Sequence, residues 1–233
     1  MNDAGMYDVL LEIARKRRTI RRFKPDPIPD EFITKIIDVA RWAPSGFHTQ
    51  PWEFVVITKK ELKEKIVSVL EQYGPPIRNP NPETAAADRS QGRFDAAPVF
   101  IILLGDWRAR VGLPDAAQSS DVRVDNTLRT SLACAFLSMQ LAATALGLAS
   151  QWYSAVSGEQ AQSAIKALIG IPEGLRMFDM MVLGYAADEP IPKDVRELND
   201  MIHYNDCGVQ DFRTDEEVIA YARKTKAWCL AAH

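Results

Sequence analysis

The stretch Asp125–Leu146 constrains this chain more than any other part of it. Its apolar residues Leu128, Leu132, Ala135, Phe136, Met139, Ala142, Ala143 and Leu146 cover much of a helix circumference, not one stripe. Such a helix must be covered on several sides, so the chain needs a sheet or further helices around it. Gly147 follows where a left-handed residue closes a helix. Sheet material is present: Glu53–Thr58, Phe94–Leu104, Ala149–Ser154 and Met177–Tyr185 read as strands or extended connections. Apolar spacing over Tyr7, Leu10, Leu11 and Ala14, and over Ile33, Ile36, Ile37 and Ala40, predicts two amphipathic helices. Further helices are expected at 61–72, 157–168 and 214–229. Asp30 reads as the N-cap of the second helix, and Ser157 with Gln160 as a capping box. The stretch 108–120 reads as loop. The order has too few β-α-β alternations for a doubly wound sheet, and no GxGxxG is present.

Composition narrows the function classes. Of 233 residues, 47% are apolar, an ordinary globular content that favours one large domain over 1–233. The longest apolar runs, Val99–Leu104 and Leu132–Leu137, are far short of the ~20 residues of a membrane-spanning helix. Met1–Tyr7 lacks a basic-then-apolar signal pattern, which with three scattered cysteines (Cys134, Cys207, Cys229) points to the cytoplasm. Those cysteines and three histidines make a metal site an unpromising reading. The net charge of −3 argues against a general nucleic-acid binder. That sum conceals an asymmetry. Arg15, Lys16, Arg17, Arg18, Arg21, Arg22 and Lys24 crowd into ten residues with no acid among them.

Two segments carry candidate chemistry. Arg17-Arg18-Thr19-Ile20-Arg21-Arg22-Phe23 offers guanidinium forks and a hydroxyl just after a helix, a donor set suited to phosphate oxygens. A solvated basic face is an equally good account of the same residues. Ala43-Pro44-Ser45-Gly46-Phe47-His48-Thr49-Gln50-Pro51-Trp52 lies between a helix and a strand, where binding loops often occur. Its other account is a Pro/Gly turn with a packed Trp52. Gly74–Arg93, with Pro75, Pro76, Pro80 and Pro82, is long for a connection and reads as a lid or mobile segment. Nucleophilic catalysis finds little support: Cys134 sits on the apolar helix, and Ser45 and His48 have no third orienting group.

Taken together and in order, these segments resemble the nitroreductase family of FMN-dependent oxidoreductases. RRTIRRF is similar to that family's Arg-x-Ser-x-(Arg/Lys)-x-Phe element, and APSGFHTQPWEFVVI to its Pro-Ser-x-x-x-x-Gln-Pro-Trp-x-Phe element. NTLRTSLACAFLSMQLAATALGLAS resembles the central helix ending in Ala-x-Gly-Leu. IKALIGIP, MMVLGYAADEPIP and PKDVRELNDMIHYN resemble three later elements, so the match spans about residues 10 to 208. The Pro-Ser-Gly-x-His-Thr form resembles the iodotyrosine deiodinase branch more than the classical nitroreductases.

The resemblance implies an α+β fold with a central mixed, mostly antiparallel sheet flanked by helices, in an intertwined homodimer whose tail, 186–233, wraps the partner. It implies one FMN at each of two interface sites. Arg17, Arg18 and Thr19 would hold the ribityl phosphate, with Arg196 and Lys193 reaching it from the tail. Arg21 would face N1 and O2 of the ring. Pro44, Ser45, Gly46 and His48 would line the cofactor from the other subunit, and Ser154 and Ala155 would supply the donor at N5. The implied activity is an NAD(P)H oxidoreductase with NADH or NADPH as transient donor and a small electron-poor acceptor such as a nitroaromatic or quinone. No side chain need act as acid or base, because the chemistry is the flavin's. Nucleic acid and membrane have no part in it. A reductive dehalogenase or flavin-cleaving enzyme of the same fold is the alternative, and beyond it a non-catalytic flavin or anion binder. Three departures stand out: Ala186 replaces the Pro of Gly-Tyr-Pro, and Lys193 lies one residue further from Arg196 than the family's Lys-x-Arg spacing. Gly74–Arg93 holds Glu83, Arg89 and Arg93 but no Tyr or Lys, so deiodination is not carried over.

Overall fold

The computed structural model describes residues 3–73, 96–190 and 193–231. The chain divides into two compact units, Met1–Glu189 and Pro190–His233. In the first unit the order is α1 (Asp3–Lys16), β1 (Phe23–Lys24), α2 (Asp30–Ala40), β2 (Trp52–Ile57), α3 (Lys60–Tyr73), β3 (Val99–Asp106), α4 (Asp115–Gln118), α5 (Asp121–Ala145), β4 (Ala149–Tyr153), α6 (Glu159–Ile169) and β5 (Leu175–Ala186). The second unit holds two short 3-10 turns and α7 (Asp215–Ala231). The expected lid lies outside the described residues, as do the first two residues of the strand expected from Phe94.

β5 is the hub of the sheet. β3 pairs along it from Val99 opposite Leu183 to Asp106 opposite Leu175, and β4 pairs Ala149 with Gly184 through Tyr153 with Met180. β2 lies outside β3, and β1 pairs Phe23 with Ala186. All these pairs are antiparallel; the parallel contribution is an isolated bridge between Thr19 and Ser150. Both faces of β3 and β5 are buried, which is why they read as unbroken apolar runs. Val99, Ile101, Leu103, Met181 and Leu183 pack against Ile33 and Ile36 of α2 and Leu132, Phe136 and Met139 of α5. Phe100, Ile102, Met180 and Val182 pack against Ile66 and Leu70 of α3 and Ala161 and Ile165 of α6. A bulge shifts the register so that Leu103 faces Asp179 and Leu104 faces Met177, leaving Phe178 as the extra residue.

Several ends differ from the sequence expectation for local reasons. α5 starts at Asp121, because the Ser120 hydroxyl accepts the Arg123 N–H and caps it there. Asp30 is the first helical residue, not the cap; Pro29 holds the cap position, and the carboxylate complements the helix dipole. Ser157 turns its hydroxyl back to the Ser154 carbonyl at 2.8 Å, and Gly158 caps α6 instead. The stretch 107–118 is a 3-10 turn followed by α4. Gly147 behaves as expected: its φ is 73°, and the Leu148 N–H reaches back to the Ala143 carbonyl at 2.9 Å. α1 carries Met6, Tyr7, Val9 and Leu10 exposed, so these apolar residues are uncovered among the described residues. Among the described residues no helix is long and apolar enough to cross a membrane.

Candidate functional site

The basic segment begins where α1 ends. The Arg17 N–H still donates to the Ile13 carbonyl, and Lys16 is paired with Glu12 at 2.6 Å. The Arg18 guanidinium folds back on the helix end and donates to the carbonyls of Arg15 and Arg17. Arg22 pairs with Asp188 at 3.3 Å. Arg17 differs from both. Its side chain is half-buried, it has no acidic partner among the described residues, and burial followed by the neighbouring Arg18 charge holds its pKa below the ordinary arginine value. A guanidinium partly stripped of water beside a second cation is a site that an anion stabilises.

The segment then runs onto the sheet. Thr19 bridges Ser150 of β4, and the Ile20 N–H donates to the Ser150 carbonyl at 3.0 Å. Arg21 follows, partly buried. β4 ends at Tyr153, and Ser154 and Ala155 open a 3-10 turn seated by the fully buried Val156. The backbone N–H groups of Ser154 and Ala155 have no acceptor among the described residues, as is usual for the first residues of a helical turn. Ser154 lies four residues beyond Ser150, roughly 13 Å along the strand. The cationic segment and a pair of open N–H donors therefore share one strand.

The loop at Pro44–Gln50 is built differently. Gly46 sits so close to α5 that an added Cβ would fall 2.2 Å from Thr127 Cγ2, and its N–H donates to Ser131 Oγ at 3.1 Å. Ser45 Oγ accepts the Gln50 N–H at 3.1 Å, Thr49 Oγ1 donates to the Gly46 carbonyl at 2.9 Å, and His48 Nε2 meets Gln50 Nε2 at 2.7 Å. Three non-glycine residues take positive φ: Phe47 at 51°, His48 at 55° and Gln50 at 43°. Strain of this kind collects at ligand-binding loops. Phe47 is 67% exposed and Trp42, just before the loop, 77% exposed. Trp52 is core, as the simpler account of this segment expected.

The structure thus brings Thr19 to the strand that leads to Ser154 and Ala155, and seats Gly46 on α5. Lys193 and Arg196 belong to the second unit, where Lys193 is exposed and Arg196 donates to the Asp200 carbonyl at 2.8 Å. Sequence reasoning missed Ser131, the anchor of the loop; a small polar residue at a buried position of an otherwise apolar helix is the signal. It also missed Asp179, a lone acid inside the apolar strand Met177–Leu183. Among the described residues no cluster of His, Cys, Asp and Glu could hold a metal.

A five-stranded antiparallel sheet between two helical layers, with a half-buried arginine and backbone donors near one strand, defines an α+β fold. Residues 14–185 match the model of the nitroreductase family, and the chain belongs to that family. A relative from Methanothermobacter thermautotrophicus, named "Putative NADH dehydrogenase/NAD(P)H nitroreductase", is 30% identical over 194 residues, 83% of this chain and 85% of its own. An iodotyrosine deiodinase from Haliscomenobacter hydrossis is 28% identical over 188 residues, 77% of this chain and 80% of its own. Among solved structures, oxidized iodotyrosine deiodinase bound to FMN and 3-iodo-L-tyrosine superposes with a TM-score of 0.66 at 26% identity, covering 85% of this chain and 100% of that one.

Proposed function

We propose that this chain is an FMN-dependent oxidoreductase, a cytoplasmic homodimer that uses NADH or NADPH to reduce a small electron-poor acceptor such as a nitroaromatic or a quinone. The observation that carries the reading is Arg17, half-buried beside Arg18 with no acid partner among the described residues, on a segment stitched to the strand followed by two N–H donors with no acceptor among those residues. FMN held there would supply the hydride-transfer chemistry.

The protein's part is position and field. Arg17, Arg18 and the Thr19 hydroxyl bind the phosphate, with Arg18 released from the helix end it caps in the free chain. Arg196 and Lys193 are the further cations that the family resemblance assigns to the phosphate. Arg21 places a fixed positive charge at the N1 and O2 edge of the ring, where negative charge develops on reduction. The N–H groups of Ser154 and Ala155 are the donors at N5. Pro44, Ser45, Gly46 and His48 of a second copy cover the ring, and the exposed stripe of α1 is part of the surface that copy buries. Phe47 reaches over the acceptor. No acid or base among these side chains is required.

The test is direct. Apoprotein is titrated with FMN, and the loaded protein is mixed anaerobically with NADH and with NADPH while flavin absorbance is followed. Stoichiometric uptake and rapid bleaching by one nucleotide are expected; a chain that takes up no FMN sinks the reading. Likeness to two deiodinases favours reductive dehalogenation as the second reading. It gains if the reduced protein releases halide from a halophenol faster than it reduces nitroaromatics and quinones.

A further inference from the structure

Asp179 is an expensive residue where it stands. It lies at the β5 bulge, 7% exposed, and accepts the Trp152 Nε1–H through Oδ2 at 2.5 Å. A buried carboxylate with an indole as its hydrogen-bonding neighbour costs free energy that an asparagine, accepting the same bond uncharged, would avoid. Trp152 is held on its other sides as well. Its ring lies 4.1 Å from that of Phe136 on α5 and 6.2 Å from that of Phe178. It stands on β4 two residues before Ser154, no more than about 7 Å along the chain. The 3-10 turn that begins there packs on β5, the strand that carries Asp179.

We propose that Asp179 is a positioning residue for the redox centre, acting through Trp152 to set the end of β4 and so the backbone donors of Ser154 and Ala155. This rests on the flavin reading above and names a residue that reading did not use. The charged groups around Asp179 are few. Arg129 of α5 attracts it but is itself bonded to Asp125 at 2.6 Å, and Arg176 on β5 lies over Trp107, 4.7 Å from the ring centre. β3 presents Leu103 and β4 presents Trp152. Burial outweighs the indole bond and Arg129, pushing the Asp179 pKa up to about 6 from 3.8. The carboxylate form grips the indole more strongly than the acid, so the seat tightens as pH rises through that value.

The sign for stability is opposite. Between pH 3.8 and about 6 the folded chain holds a proton that the unfolded chain has lost, so stability falls as pH rises across that window. D179N lacks the effect, and its thermal midpoint relative to wild type should climb over the same window and then level off.

The experiment uses FMN-loaded wild type, D179N and W152F. Three quantities are followed from pH 5 to 8: indole emission, the midpoint potential of the bound flavin, and the rate of its reduction by NAD(P)H. In wild type, indole emission and the potential should both inflect near pH 6. D179N should lose both inflections. W152F, which keeps an aromatic side chain but removes the N–H donor, should lose the potential inflection and slow reduction about tenfold or more, as displaced reacting groups do. If D179N does not fold, the W152F comparison decides alone. Potentials that follow the same pH line in wild type and in the variants, with FMN bound, overturn the role of Asp179 and leave the flavin reading standing. Failure of all three proteins to bind FMN overturns both.

Discussion

Arg17 keeps a guanidinium half-buried with no acid beside it among the described residues, while the loop from Pro44 to Gln50 is closed by hydrogen bonds of its own and holds its backbone at strained angles. The first region is tied to the sheet by its backbone and left unsatisfied in its charge. The second is satisfied in its hydrogen bonds and loaded in its φ angles. On the proposed function, a ligand would relieve the first through electrostatics and the second through geometry. The difference teaches which property each should govern: affinity for an anionic cofactor at Arg17, and choice of acceptor at the loop.

The largest effect that would break this contrast is expected from Arg17→Ala. A charge-assisted bond to phosphate is worth about 1.5–3 kcal/mol, or roughly 10- to 100-fold in binding. FMN titration of the apoprotein should show that loss, while the melting temperature of the apoprotein holds or rises because repulsion with Arg18 is relieved. Tight, unchanged FMN binding would remove Arg17 from the phosphate site.

Next is Gly46→Ala. Its Cβ would meet Thr127 Cγ2 at 2.2 Å, so the loop or α5 must shift. Overpacking of this kind costs about 1–3 kcal/mol. The companion change Thr127→Ser removes the offending methyl, and the double variant should recover most of the loss. A Gly46→Ala protein as stable as wild type would mean that the loop does not rest on α5, and the two regions would then differ less than described.

How much of this was readable beforehand varies with the physics involved. The central helix is plain in the sequence because burial on most sides leaves a continuous apolar circumference, and Asp125–Leu146 lacks only its first turn. That turn depends on Ser120, which looks like any other loop serine until its N–H partner is known. The basic segment was legible as charge, but not the separation of its members. Arg18 turns onto carbonyls, Arg22 finds Asp188, and Arg17 stays half-buried with no acid partner among the described residues. The spacing of cations along a chain does not reveal which of them folding will neutralise. The caps expected at Asp30 and Ser157 each lie one residue away, because Pro29 and Gly158 take those positions. The Trp152–Asp179 bond joins residues 27 apart across two strands, so its register became visible only with the sheet.

The smallest effect sharpens the second half of the contrast. Phe47 has φ 51° and is 67% exposed, so its side chain contributes little to the core. A non-glycine residue in the left-handed region costs roughly 1–2 kcal/mol, whereas glycine there costs only the extra chain entropy of about 0.5–1 kcal/mol. Phe47→Gly should therefore stabilise the fold by a few tenths to about 1 kcal/mol, a rise of about 1–4 °C in melting temperature for a chain of this size. FMN affinity should stay within about twofold of wild type, since the phosphate contacts lie elsewhere. The ranking of acceptors, measured as kcat/KM for a nitroaromatic against a quinone, should change. A protein that melts lower would show that the left-handed backbone carries no strain. An unaltered ranking would place Phe47 away from the acceptor and leave the loop a purely structural turn.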